Sequence, residues 1–527
     1  MLPTLTDPQV SVPDHPAGSR RRRWLSSAGT GLVVFSALAL SGPGRIDIVD
    51  GQARYEVARS LVDHGDAAVR NGEVWYSIFP GRGNLLYTSY RFPQSVLGVP
   101  AILAADATGA VSEERRHFFF VLTSAVAAAA LALAYGVWFR REGLSERRAM
   151  LWAAAGIFCT PAWFYGTSTF DDILGTAAIV GAVVAADAAR RSGRWVTAGW
   201  AGLLVGLAFN CKQPLAVFGL GAAGALDDPG LGPRPRRLRL GLLILGLLLG
   251  IAAYLAYDLY KFPPGTREAH QALMRLYVPA WPGDFTVALL AVAISPAAGL
   301  VWYSPTLLLC VAGMRRAAAD HRRMIQGMVA ATALFATFIL SMSVFKGDPA
   351  WGPRYFTPVF ALLWLFAPRG LARIGRPATV TLLLLGAGVQ LLALAVDPHR
   401  LYVEQAMHSA FGAQAPALYF DPRLAHLLQR PREIAEVWRA RDEAGTTFAP
   451  SAVPTFAFPI IDRVEFGQAA LQKYKVLNSF RPWWSSQGYL PEARRPVPIV
   501  TTVCLLVGVL LAAAWMAWAG ARDDDVP

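Results

Sequence analysis

The sequence predicts an all-α polytopic membrane protein, and three observations carry that prediction. Of 527 residues, 54% are hydrophobic and only 16% charged, against about 25% charged in soluble globular chains. The mean hydropathy is +0.37. Apolar runs approaching the roughly 20 residues that a helix needs to cross a bilayer recur along the whole chain, and arginine clusters bound them. Other classes are excluded on the same grounds. Long aliphatic runs with 27 Phe, 16 Trp and 16 Tyr are incompatible with disorder. The four cysteines (Cys159, Cys211, Cys310 and Cys504) lie in apolar runs and form no C-x-x-C pair, so they point to neither a disulfide scaffold nor a zinc site. The net charge of +13 is concentrated at the ends of apolar runs. There it orients a membrane protein and meets anionic headgroups. No basic-aromatic groove accompanies it, so no nucleic-acid partner is expected.

Taken in order, residues 1–23 read as a disordered cytoplasmic tail ending in Arg20 to Arg23. An uncleaved first span at 24–40 follows, then an external loop at 41–116. The apolar part of that loop, 96–105, is too short to span and reads as an interfacial helix. Further spans are read near 117–138, 149–167, 173–189, 196–210, 213–226, 240–257, 302–315, 324–343, 355–367, 377–396 and 497–519, about twelve in all. Basic clusters at 140–148, 190–194, 234–239, 315–323 and 369–376 then fall on one side, which the positive-inside bias makes cytoplasmic. Both termini are cytoplasmic on this reading, and the protein sits in a bacterial inner (plasma) membrane. Residues 258–301 form a second external segment. The transmembrane domain covers 24–396, an exported loop or small domain 397–496, and the last helix with its tail 497–527.

Candidate chemistry lies at the external boundary. Asp47 and Asp50 follow the first span, in RIDIVDGQARYEVARSL. A carboxylate there can act as general base on the hydroxyl or amine of an acceptor; the alternative is capping of the helix that begins near Gly51. In that helix Tyr55, Val57, Ala58 and Leu61 are expected to face the membrane. Asp171 and Asp172, in FDDIL, reach the same boundary, with capping again the alternative. The stretch FKGDPAWGPRYFTP supplies Lys346, Trp351, Arg354 and Tyr355. A guanidinium at that depth either forks onto a phosphate whose lipid tail stays in the bilayer or merely snorkels. SPAAGLVWYSP, carrying Trp302 and Tyr303, has two Ser-Pro steps that shape an external loop. Lys212, in FNCKQP, is either a functional intramembrane charge or the tip of a tight external turn. In the last external loop Arg481, Trp483, Trp484 and Tyr489 cluster, a composition suited to sugar rings or to a membrane interface. No G-x-x-x-x-G-K-[ST] loop and no H-E-x-x-H motif occurs, so neither ATP-driven transport within this chain nor a zinc protease is expected.

These motifs, in this order and on one face, resemble the GT-C superfamily of integral-membrane glycosyltransferases, which includes protein O-mannosyltransferases and lipid A aminoarabinose transferases. The resemblance covers roughly residues 24–370 and rests on IDIVDGQARYEVARSL, FDDIL, SPAAGLVWYSP and WGPRYFTP. It implies a sugar donor on a polyprenyl phosphate. The first-loop carboxylate, Asp50 before Asp47, would deprotonate or orient the acceptor, and Asp171 or Asp172 would supply the second acidic motif. The donor phosphate would be met by Arg354, with Lys346 and Lys212 behind it, and Tyr55, Trp302, Tyr303, Trp351 and Tyr355 would line the substrate. A divalent metal is compatible with the family, and Asp50 with Asp171 or Asp172 offers oxygen ligands. Two departures stand out: Asp50 is followed by Gly-Gln rather than by an acid, and RFPQS replaces a His-Pro-Pro or Lys-Pro-Pro motif. Two other functions fit the composition: a transporter or lipid flippase, and a non-catalytic membrane scaffold.

Overall fold

The computed structural model describes residues 17–72, 74, 77–109, 111–228, 230–266, 283–342, 345–347, 350–398, 417–440, 479–486, 492 and 495–521. The chain is an all-α polytopic membrane protein. Among the described residues seven helices are long and apolar enough to cross a bilayer, or eight if one bent pair is a single span. In chain order the elements are α1 (Ala17–Ser41), α2 (Val49–Asp63), the strands β1 (Ile78–Pro80) and β2 (Leu86–Thr88), α3 (Pro93–Ala107), α4 (Glu113–Arg141), α5 (Glu146–Phe158), α6 (Ala162–Tyr165), α7 (Asp172–Ser192), α8 (Trp195–Cys211), α9 (Gly219–Leu226) and α10 (Pro233–Lys261). They continue with α11 (Gly283–Ile294), α12 (Leu300–Tyr303), α13 (Leu307–Ala317), α14 (Arg322–Leu340), α15 (Thr357–Trp364), α16 (Ala367–Ile374), α17 (Arg376–Ala395), α18 (His426–Ala440) and α19 (Ile499–Ala521).

Among the described residues, several of the twelve runs read as spans form shorter or broken helices, for identifiable reasons. The 149–167 run is broken after Phe158 by a turn at Thr160 and Pro161, leaving the 13-residue α5. The 302–315 run yields only the 11-residue α13. Residues 355–367 belong to α15 and α16, which meet at 71°, with Pro368 in the first turn of α16. Conversely, the segment read as external at 258–301 contains the apolar helix α11. Helix α1 begins at Ala17, inside the stretch read as a tail. The exported segment 397–496 lies largely outside the described residues.

Small residues set the helix crossings. A Cβ on Gly250 would lie 2.3 Å from the Gly206 Cα, and one on Gly246 2.5 Å from the carbonyl carbon of Gly202. Helices α8 and α10 therefore touch backbone to backbone, the close approach that small residues permit within a bilayer. Asn210 seals the crossing by donating to the Gly250 carbonyl at 2.8 Å. Helix α1 meets α19 in the same way, where a Cβ on Gly29 would lie 2.7 Å from the Ala517 nitrogen.

The arginine clusters converge on one end. Glu142 receives Arg191 at 2.9 Å, His321 at 3.1 Å and Arg369 at 2.5 Å, while Asp227 receives Arg236 and Arg323. Burial alone would raise the Glu142 carboxyl, but the hydrogen bonds from His321 and Arg369 outweigh it and hold its pKa at about 2.

At the opposite end α2, the β1–β2 hairpin and α3 form a layer over the bundle. The hairpin is antiparallel, with Phe79 opposite Tyr87. Tyr55 and Ala58 of α2 pack with Ile102 and Phe120, and Val57 with Val69 and Val74. Tyr55, Val57 and Ala58 are thus buried, contrary to the membrane-facing side expected of them, because α3, α4 and the following loop cover α2. The chain leaves α17 at Val396 and comes back at Phe480, where the two pair as an antiparallel bridge. Trp483 and Trp484 then donate to the Ala39 and Leu40 carbonyls at the end of α1, both at 2.9 Å.

Candidate active site

The end opposite the arginine clusters gathers charges that the sequence separates by about three hundred residues. Asp50 lies in the first turn of α2, and Arg54 one turn further along the same helix. Asp171 and Asp172 begin α7, Lys212 ends α8 and Arg354 precedes α15. Arg54 pairs with Asp171 at 3.1 Å. Lys212 binds Asp172 and lies 3.9 Å from Asp171. The Arg354 Nε lies 3.7 Å from Asp172. Aromatic rings hold the cations in place. Tyr90 lies 4.6 Å beneath Arg54, Tyr355 4.6 Å from Lys212, and Phe170 4.1 Å from the Arg354 guanidinium.

Capping does not account for these carboxylates. The N-cap of α2 is Ile48 and that of α7 is Asp171, and neither makes a side-chain cap bond. Asp171 and Asp172 instead neutralise buried cations, as buried charges require. Asp50 differs from both. It is half-buried, forms no ion pair with a described residue, and accepts the Tyr90 hydroxyl at 2.5 Å. Burial works against the Arg54 charge, but Asp171 and then Asp50 outweigh it and raise the guanidinium above its ordinary pKa. Asp50 also acts electrostatically on Arg354. Spare donors remain: Nε and Nη1 of Arg54 and Nε of Arg354 are buried without a hydrogen-bond partner among the described residues. The arrangement thus offers a proton acceptor beside guanidinium N–H groups able to bind an oxyanion.

Asp47 is placed differently. Its Oδ1 accepts the Thr169 N–H and hydroxyl at 2.9 and 2.7 Å, and its Oδ2 accepts Arg481 at 3.1 Å. It is 1% exposed and ties three chain segments together. Of the other expected residues, Tyr355 adjoins the charge cluster, its hydroxyl accepting from Arg354 Nη2 at 3.1 Å. Lys346 is buried, and its carbonyl accepts the Arg354 N–H at 3.1 Å. Tyr55 donates to Glu113 and stands edge-on to His117 and Phe120. Trp351 is buried edge-on to Tyr303 at 5.2 Å and stacked on His426. Trp302 is largely exposed and donates to the Ile294 carbonyl at 3.0 Å. These four are not brought to the charge cluster. Lys212 caps a tight turn between α8 and the short 3-10 helix Gln213–Phe218. Arg481 and Trp483 are buried against α1 and the loop before α7 rather than offered to a sugar, and Tyr489 lies outside the described residues.

Sequence reasoning missed Arg54, Tyr90, Arg91 and Lys261. Arg54 was signalled by its i,i+4 spacing from Asp50. Tyr90 and Arg91 adjoin RFPQS but carry no spacing that points to Asp50. Lys261 is fully buried at the end of α10 and donates to the Thr88 and Tyr90 carbonyls at 2.9 and 3.1 Å, which fixes the Tyr90 backbone. Arg91 stacks 4.2 Å over Tyr254 and lies 3.7 Å from Asp258. Among the described residues no group of three His, Cys, Asp or Glu side chains is arranged to hold a metal ion.

No family model matches the chain, and no curated protein matches it. Among solved structures it is similar to ArnT from Cupriavidus metallidurans bound to undecaprenyl phosphate, at 13% identity and a TM-score of 0.47, over 93% of this chain and 76% of that one. It is also similar to the apo state of the same protein, at 12% identity and a TM-score of 0.43, over 93% and 75% of the two chains.

Proposed function

We propose that this chain is a membrane glycosyltransferase that moves a sugar from a polyprenyl-phosphate donor to an acceptor on the face opposite the arginine clusters. One observation carries the reading: the half-exposed carboxylate of Asp50, free of ion pairs among the described residues, acts on Arg54 and Arg354, whose carboxylate partners Asp171 and Asp172 also hold Lys212. The motif order that resembles the GT-C superfamily agrees with it. In this mechanism Asp50 takes the proton from the acceptor hydroxyl or amine. The acceptor forms a bond to the anomeric carbon, the bond from that carbon to the phosphate oxygen breaks, and the lipid phosphate leaves with the electron pair. Arg354, with Arg54 and Lys212, takes up the charge growing on the phosphate. Asp171 and Asp172 hold those cations in place. Tyr90 aims Asp50.

The test is binding and turnover of a panel of polyprenyl-phosphate sugars by the full chain in nanodiscs, read as release of polyprenyl phosphate. The reading expects one sugar class to bind in an Arg354-dependent way and to be released in an Asp50-dependent way. If no lipid-linked sugar binds, the transferase reading fails and a transporter or scaffold role takes its place.

A further inference from the structure

A second site lies at the far end of the molecule. A cavity of ≈ 390 Å³ opens among the arginine clusters, within the roughly 300–1,000 Å³ typical of small-molecule sites. Its walls are apolar, with Phe139, Trp152 and Leu365, and its rim carries Arg148, Arg369 and Arg376 with Glu142. The Glu142 charge is already taken by Arg191, His321 and Arg369, and Arg369 is further paired with Asp320 at 2.5 Å. Arg148 and Arg376 are exposed and form no ion pair with a described residue. The rim is therefore short of anions.

The broken helix gives this cavity its shape. Helix α16 turns 71° away from α15 and ends at Gly375, whose φ of +86° only glycine adopts readily. It is amphipathic: Leu371 lines the cavity, while Arg373 is exposed. A short amphipathic helix turned across the end of a bundle suits the headgroup layer. The helices that begin beside the cavity, α5 and α17, expose Leu151, Val380 and Leu384 by 62%, 53% and 68%. A molecule with its head in the cavity would find apolar surface for its tails.

We propose that this cavity binds the phosphate headgroup of an anionic glycerophospholipid from the adjacent leaflet, held by Arg148 and Arg376 over the Trp152 wall. Basic pockets between spanning helices recognise such headgroups. The site is separate from the charge cluster around Asp50, so its test is independent of the transferase reading.

The experiment is native mass spectrometry of the delipidated full-length chain titrated with phosphatidylglycerol or phosphatidylcholine. The expected result is one phosphatidylglycerol retained with at least about tenfold preference, falling about tenfold in the R148Q/R376Q double variant. Leu371→Trp, which fills the cavity without changing charge, should cause the same loss while the protein still elutes as a folded species. Soluble glycerol phosphate should not displace the lipid. Equal retention of both lipids, or retention unchanged in both variants, overturns the proposal. Displacement by glycerol phosphate assigns the cavity to a soluble phosphate compound and overturns the lipid reading. Displacement by an acidic peptide but not by lipid assigns it to a protein partner.

Discussion

Tyr90 donates its phenolic hydroxyl to the Asp50 carboxylate at 2.5 Å, while its own carbonyl is gripped by Lys261 at 3.1 Å. The end of α10 thereby fixes the loop residue that orients the first-loop acid. A hydrogen bond to a charged group contributes about 1.5–3 kcal/mol. Tyr90→Phe is expected to lower turnover by about tenfold or more and to leave donor affinity within twofold of wild type. Single-turnover release set against equilibrium donor binding separates the two effects.

Asp50→Asn keeps the shape and removes the base. General-base catalysis contributes typically about 10²–10⁴-fold, so turnover should fall by at least that lower bound with donor binding retained. Turnover within tenfold of wild type would remove Asp50 from the role.

Arg354 and Lys212 make different demands on a phosphate. Arg354→Lys retains the charge but loses the fork that grips two oxygens. Donor affinity should drop about tenfold for Arg354→Lys and further for Arg354→Ala, measured as equilibrium binding in nanodiscs. Identical affinity in all three proteins would place the phosphate elsewhere.

The contact of α8 with α10 leaves no room for a side chain at Gly250. Gly250→Val should destabilise the protein by about 1–3 kcal/mol or more, as overpacking does. Gly388→Ala is the control, since its Cβ would meet nothing within 4 Å. Melting temperatures in one detergent compare the pair.

Glu142 titrates at about 2 in the folded protein against 4.5 for an ordinary glutamate. A carboxyl with a lowered folded pKa contributes stability that is fully present above its unfolded pKa and is lost as pH falls toward the folded value. The melting temperature of wild type should therefore fall more steeply from pH 5 to 3 than that of Glu142→Gln. Parallel curves would show that the junction at Glu142 adds no acid-sensitive stability.

The architecture was legible because bilayer physics writes itself into composition: apolar runs and arginine clusters are local signals. The span count was less so. Hydropathy does not register that Pro161 interrupts one run, or that Pro368 turns another through 71°. Asp50, Asp171, Asp172, Lys212 and Arg354 were legible as charges at one boundary, and the structure brings them together. The aromatic residues were not. Trp351 and Tyr303 sit in a motif that reads like a binding loop, yet their rings pack each other; a large ring looks the same in a sequence whether it meets a ligand or a neighbour. Tyr90 could not be found because its partnership with Asp50 depends on a hairpin folding back over α10.

The bridge between Val396 and Phe480, with the Arg481 N–H donating to the Ala395 carbonyl at 2.9 Å, makes the intervening segment a handle whose two roots share one attachment point. Closing such a handle costs entropy that grows only as about (3/2)RT ln n with its length. Evolution, or an engineer, can therefore change the length of that segment at little entropic cost, provided the part seated on the bundle is kept, where His426 stacks on Trp351 and Arg430 donates to the Val396 carbonyl.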